Sequence, residues 1–130
     1  MEITVKPAGG LALETAIGDY TVRTDQPVKD GGGGTAPSPS DLFLASIAAC
    51  VGYYVLDFCL ERKIPTAEIG VLMRTHKNEE KKLMDRIELE ITLPPEFPDK
   101  YEKAVVRAAE LCWVKKHIQN APAFETRVVR

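Results

Sequence analysis

The chain has 130 residues, 45% hydrophobic and 28% charged, the balance of an ordinary globular domain with one core, which excludes disordered, collagen-like and disulfide-dense classes. Seventeen basic residues against nineteen acidic ones give a net charge of -2, so there is no positive excess to hold a nucleic acid or an anionic membrane. Three cysteines, and an N-terminal Met-Glu-Ile-Thr-Val without the basic start and apolar run of a secretory signal, predict a cytoplasmic, reducing setting with free or transiently paired thiols.

Alternation between Glu2 and Thr24 predicts three short strands near 2–6, 11–17 and 19–24, with Leu11, Leu13, Thr15 and Ile17 on one face and turns at Pro7–Gly10 and Gly18-Asp19. Residues 25–37 read as a loop because the run Gly31–Gly34 is entropically unfit for the interior of a regular element. Ser38-Pro39-Ser40-Asp41 then has the form of a helix start, with Ser38 as cap, Pro39 in the first turn and Asp41 at the capping-box position. Residues 42–56 carry no charge, and Phe43, Ile47, Val51, Tyr54 and Phe58 repeat at helical spacing. A second stripe, Leu42, Ala45, Ala49, Leu56 and Leu60, makes this a central helix needing cover on two sides, and its uncharged run falls short of the ~20 residues of a bilayer span. Ile69–Leu93 alternates as a long hairpin whose tip is Glu79–Lys82, stopped by Pro94, Pro95 and Pro98. A second helix opens at Asp99, with Tyr101, Val105, Ala108, Leu111 and Cys112 along its inward stripe, and a closing strand is expected around Phe124–Val129. The predicted class is α+β, antiparallel sheets packed on a long central helix, in a single domain over residues 1–130.

Among residues able to do chemistry, the cysteines lead. Cys50 lies eleven residues past Pro39, about 17 Å along the axis, where its own helix dipole has faded, so activation must come from outside that helix. Arg23, Arg74 and Arg107 are the candidate donors, and spacing does not choose among them. Cys59 falls on the opposite side of the helix from Cys50, which leaves Cys50 and Cys112 as the pair that could meet if the two helices pack together. Free cysteine is also among the most buried residue types, and core filling is the leading reading from spacing alone. There is no Cys-x-x-Cys, and Cys112 and His117 are poorly offset for one helical face, so no metal is expected. His76 and His117 read as surface residues, and the glycine run lacks the ending of a phosphate loop.

The stretch Gly33–Cys50, with its Gly-rich loop, Pro37-Ser38-Pro39 and terminal Ala48-Ala49-Cys50, resembles the signature of the OsmC/Ohr family. Asp25-Gln26-Pro27 is similar to the Asp-x-Pro ahead of that loop, and Glu110–Val114 resembles the segment holding the family's second cysteine. The resemblance implies an intertwined homodimer and a thiol peroxidase that reduces organic hydroperoxides to alcohols, without a cofactor. Cys50 would be the attacking thiolate and Cys112 the resolving thiol, reset by an external dithiol reductant. Arg23, from its place before the loop, would stand in for the activating guanidinium, and Asp41 for its orienting carboxylate, since Ser40 occupies the position where family peroxidases carry Glu. The alternative is a non-catalytic family member that binds a small apolar or thiol-containing ligand at the dimer interface.

Overall fold

The computed structural model describes residues 1–130 and divides them into two compact units, Met1–Ala45 and Ser46–Arg130. In the first, β1 (Ile3–Pro7), β2 (Leu13–Ile17) and β3 (Tyr20–Thr24) form an antiparallel meander in the order β1-β2-β3. Ile17 pairs with Tyr20, so β2 and β3 are joined by the two residues Gly18-Asp19, and Gly18 at φ 57° supplies the backbone such a tight turn requires. Val5, Leu13, Thr15, Ile17, Val22 and Thr24 share one face, as the alternation predicts, and line an apolar groove of about 450 Å³ with Pro39 and Leu42. Leu11 departs from that pattern: it is exposed and Ala12 is buried, because both belong to the turn before β2.

The glycine-rich loop is ordered around one carboxylate. Asp25 is buried and accepts hydrogen bonds from the backbone N–H of Gln26 (2.7 Å), Thr35 (3.1 Å) and Gly33 (3.4 Å) and from the Thr35 hydroxyl (2.6 Å). These donors, the Thr35 hydroxyl foremost, hold its carboxyl at a pKa of about 2. A Cβ on Gly32 would overlap the Gln26 carbonyl, so that glycine is fixed by close backbone approach.

The central helix, α1 (Pro39–Glu61), starts with the reciprocal capping box that the sequence predicts. Asp41 N–H donates to Ser38 Oγ (3.1 Å) and Ser38 N–H donates to Asp41 Oδ2 (3.0 Å). It ends in a Schellman arrangement: Ile64 N–H donates to Cys59 O (2.9 Å), Lys63 N–H to Leu60 O (3.2 Å), and Lys63 takes the left-handed conformation at φ 55°. At 23 residues α1 exceeds the uncharged run and is long and apolar enough to cross a membrane. Instead it serves as the core helix of the second unit, with Asp57 within it and Ile47, Val51, Val55, Phe58 and Cys59 buried.

In that unit β4 (Gly70–Asn78) and β5 (Leu83–Thr92) form the long hairpin, with a bulge between His76 and Lys77. The pairs Val71–Ile91, Met73–Leu89 and Thr75–Ile87 stand on one face, and Val71, Leu89 and Ile91 pack against the core. The other face carries ion pairs between Arg74 and Glu90 and among His76, Arg86 and Glu88. After Pro98, a 3₁₀ turn at Asp99–Tyr101 leads into α2 (Glu102–Glu110), which contributes Val105 and Ala109 to the core.

Two expectations fail beyond this point. The second helix does not run through Cys112: it breaks at Leu111-Cys112 and a new helix, α3 (Trp113–Gln119), begins. Leu111, expected on the inward stripe, is therefore 53% exposed, while Cys112 remains fully buried. The closing strand is absent as well. Residues 121–130 pair with no strand, and Phe124, Val128 and Val129 are exposed, so alternation in this segment meets no partner within the chain.

Candidate functional site

Cys50 is half-buried on α1, and the groups that act on its sulfur come from the start of α3. Burial by itself pushes the Cys50 thiol up. Against it stand hydrogen bonds from the Val114 N–H, the Cys112 thiol and the Trp113 N–H, together with the charge of Lys115, and the net effect is a thiol pulled below its ordinary value. The physical source is a helix N-terminus after all, but not that of α1. The N–H groups concerned belong to the first residues of α3 and have no carbonyl partners inside the helix.

Cys112 makes this geometry. It is the N-cap of α3, with non-helical φ -46° and ψ 117°, and its Sγ accepts the Lys115 N–H at 3.4 Å. Its own S–H is directed at Cys50. Burial and that hydrogen bond raise the Cys112 thiol above its ordinary value, so of the two sulfurs Cys50 is the one that ionises more readily. Cys59, fully buried on another face of α1, is pushed up by desolvation, with Arg62 a partial offset.

A cation that the sequence reading did not consider lies beside this pair. Lys115 is only 16% exposed, its Nζ lies 3.1 Å from Glu110 Oε2, and it lines two grooves of about 370 and 380 Å³. Of the arginines proposed as donors within this unit, Arg74 is paired with Glu90 across the hairpin and Arg107 is an exposed residue of α2. Arg23 sits on β3 with its guanidinium 3.8 Å from Glu14 of β2, both exposed. Asp41 is engaged in the capping box. Glu110 and Lys115 are five residues apart, which on an unbroken helix would set them about 140° from each other. The break at Leu111-Cys112 is what lets them meet, and no periodicity argument built on one continuous helix finds that pair.

Comparison with known proteins now becomes decisive. Residues 31–127 match the model of the OsmC-like protein family, a span that includes the glycine loop, both cysteines and α3. The chain belongs to the OsmC-like family. No curated protein matches the sequence at significant similarity. Among solved structures, a Psychrobacter arcticus 273-4 protein provisionally named for osmotic stress induction and a detoxification response is 25% identical, with TM-score 0.74 over 88% of this chain and 85% of the other. An organic hydroperoxide resistance protein OsmC of Legionella pneumophila (24% identity, TM-score 0.56) covers 92% of this chain and 90% of its own. The organic hydroperoxide resistance protein OhrB of Bacillus subtilis (22% identity, TM-score 0.54) covers the same shares, 92% and 90%. At these identities the Legionella and Bacillus proteins establish the shared fold, an OsmC-like arrangement of antiparallel sheets and one long helix.

Proposed function

We propose that this OsmC-like protein is a thiol-dependent peroxidase that reduces organic hydroperoxides to alcohols, with Cys50 as attacking thiolate and Cys112 as resolving thiol. The observation that carries this reading is the hydrogen-bonded pair of sulfurs at the start of α3, one thiol lowered and the other raised. The Cys50 thiolate attacks the terminal peroxide oxygen, the O–O bond breaks, and the electron pair leaves on the alkoxide, giving a Cys50 sulfenic acid. Cys112 then attacks that sulfur, water departs, and a Cys50–Cys112 disulfide forms. The two electrons that reduced the peroxide are restored by an external dithiol, as a reducing compartment such as the cytoplasm supplies. An apolar tail would rest on the aliphatic walls of the adjoining grooves, where burial contributes about 0.8 kcal/mol per methylene. That the protein works as an intertwined homodimer is supported by the uncovered Tyr53, Leu56 and Leu60 on α1 and by the unpaired apolar segment ending in Val128 and Val129.

Thiol titration after one equivalent of cumene hydroperoxide tests the reading. Rapid loss of two thiols per chain is expected, abolished in Cys50→Ser and unaffected in Cys59→Ser. No loss over minutes at neutral pH refutes it.

A further inference from the structure

The chemistry just proposed begins with negative charge on sulfur and ends with negative charge on a departing alkoxide, a poor leaving group unless a proton reaches it. The backbone N–H groups of Trp113 and Val114 steady a charge and transfer no proton. Lys115 is different: it carries a transferable proton, its side chain is largely withdrawn from water, and its ammonium adds to the field on Cys50. Its backbone N–H is tied to Cys112 Sγ, which fixes the root of the side chain beside the sulfur pair.

Its surroundings suit the same role. Lys115 forms part of the wall of a groove of about 380 Å³ with Ile47, Ile87, Leu89 and Ile118, an apolar lining in which it and Glu110 are the charged groups. Ile47 stands about one helical turn before Cys50 on α1, so one wall of the groove lies on the stretch of helix that carries the thiol. Glu110, with its side chain 64% exposed, orients the ammonium at 3.1 Å and connects it to solvent, from which a lost proton can return.

We propose that Lys115, oriented by Glu110, is the cation of the Cys50 site, holding the thiolate before reaction and protonating the alkoxide as the O–O bond breaks. The step balances: sulfur and the terminal oxygen form a bond, the peroxide bond breaks, RO⁻ takes one proton from the ammonium to give ROH, and the neutral amine regains a proton from water. The proposal rests on the peroxidase reading for its second half only. Glu110 acts through Lys115 and is a positioning residue.

The test follows the Cys50 thiolate by ultraviolet absorbance against pH, and in parallel the single-turnover rate with tert-butyl hydroperoxide by stopped flow, for wild type, Lys115→Met, Lys115→Arg and Glu110→Gln, each verified as folded by circular dichroism. Lys115→Met is expected to raise the Cys50 pKa and, at a pH where Cys50 is fully ionised, to slow sulfenate formation by about a hundredfold, within the range typical of a lost general acid. Lys115→Arg should restore the pKa and not the rate, because a guanidinium does not release its proton. An unchanged pKa in Lys115→Met overturns the first half of the proposal, and a rate per thiolate within about twofold of wild type in Lys115→Met or Lys115→Arg overturns the second. If wild type itself consumes no peroxide, the peroxidase reading fails and, with it, the proton transfer, while the pKa comparison still decides whether Lys115 is the cation of Cys50.

Discussion

Replacing Cys112 separates three duties of one sulfur: capping α3 and donating to Cys50, and the disulfide formation proposed for it. Alanine removes all three. Loss of an N-cap costs about 1 kcal/mol, and deleting a fully buried sulfur removes packing worth about another 1 kcal/mol, so Cys112→Ala should be destabilised by roughly 2 kcal/mol. A hydrogen bond to a charged acceptor contributes ~1.5 kcal/mol, and sulfur partners sit at or below that, so removing the Cys112 donor should raise the Cys50 pKa by about one unit at 1.36 kcal/mol per unit. Serine keeps two duties. It is a strong N-cap whose oxygen can accept the Lys115 N–H, and its hydroxyl can donate to the thiolate. Cys112→Ser should therefore retain most of the stability and the lowered Cys50 pKa, yet accumulate sulfenic acid after one turnover. Urea denaturation gives the stabilities, the pH dependence of iodoacetamide labelling gives the pKa, and trapping with dimedone gives the sulfenate. Equal Cys50 pKa values in wild type, Cys112→Ser and Cys112→Ala would refute the claim that Cys112 donates to Cys50.

Two further outcomes concern the glycine-rich loop of the first unit and the end of α1. Asp25 has a folded pKa of about 2 against an ordinary 3.8, so its contribution to stability is present above about pH 4 and is lost as pH falls toward 2; in Asp25→Asn that segment of the stability profile, read as urea midpoints, should flatten. Lys63 is held in the left-handed region at φ 55°, where a side chain costs roughly 1–2 kcal/mol, part of which glycine gives back through its freer unfolded state. Lys63→Gly should therefore stabilise the protein by about 0.5 kcal/mol, and a drop in its urea midpoint would show that the lysine side chain does more than tolerate the turn.

The sequence was most legible where local chemistry decides structure. Strict alternation placed β2, β3, β4 and β5 to within a residue or two, and Ser38-Pro39-Ser40-Asp41 identified the capping box because each residue's role there is set by its neighbours. What stayed hidden turns on the break after Glu110. No proline or glycine marks Leu111-Cys112-Trp113, and the spacing of Val105, Ala108 and Cys112 fits a continuous helix well enough to extend it. The break arises because a buried cysteine acts as a cap, a use that propensity rules assign to Ser, Thr, Asp and Asn. With the helix drawn through, neither the new N-terminus with its free amides nor the Glu110–Lys115 pair is foreseen. The closing strand failed for a different reason: alternation reports a sequence fit for a sheet, and whether a strand takes it up is decided by tertiary packing that local pattern does not contain.

The direction of the single S–H···S hydrogen bond also orders the proposed reaction in time. Cys112 is raised by burial, by the bond it donates to Cys50 and by the charge on Cys50, while the N–H groups of Lys115 and Val114 pull it down. In the reduced pair, ionising both sulfurs would set two like charges in contact, so the second proton is retained. Once Cys50 has taken up a peroxide oxygen as a neutral sulfenic acid, both the acceptor of that hydrogen bond and the neighbouring negative charge are gone. The two amides and the nearby ammonium remain, and they now favour the thiolate form of Cys112. The resolving thiol thus becomes nucleophilic only after the first step has supplied the sulfur it must attack. Before that step its proton serves to hold Cys50 ionised. In the proposed reaction one helix break thus serves both the activation of the first cysteine and the delayed activation of the second.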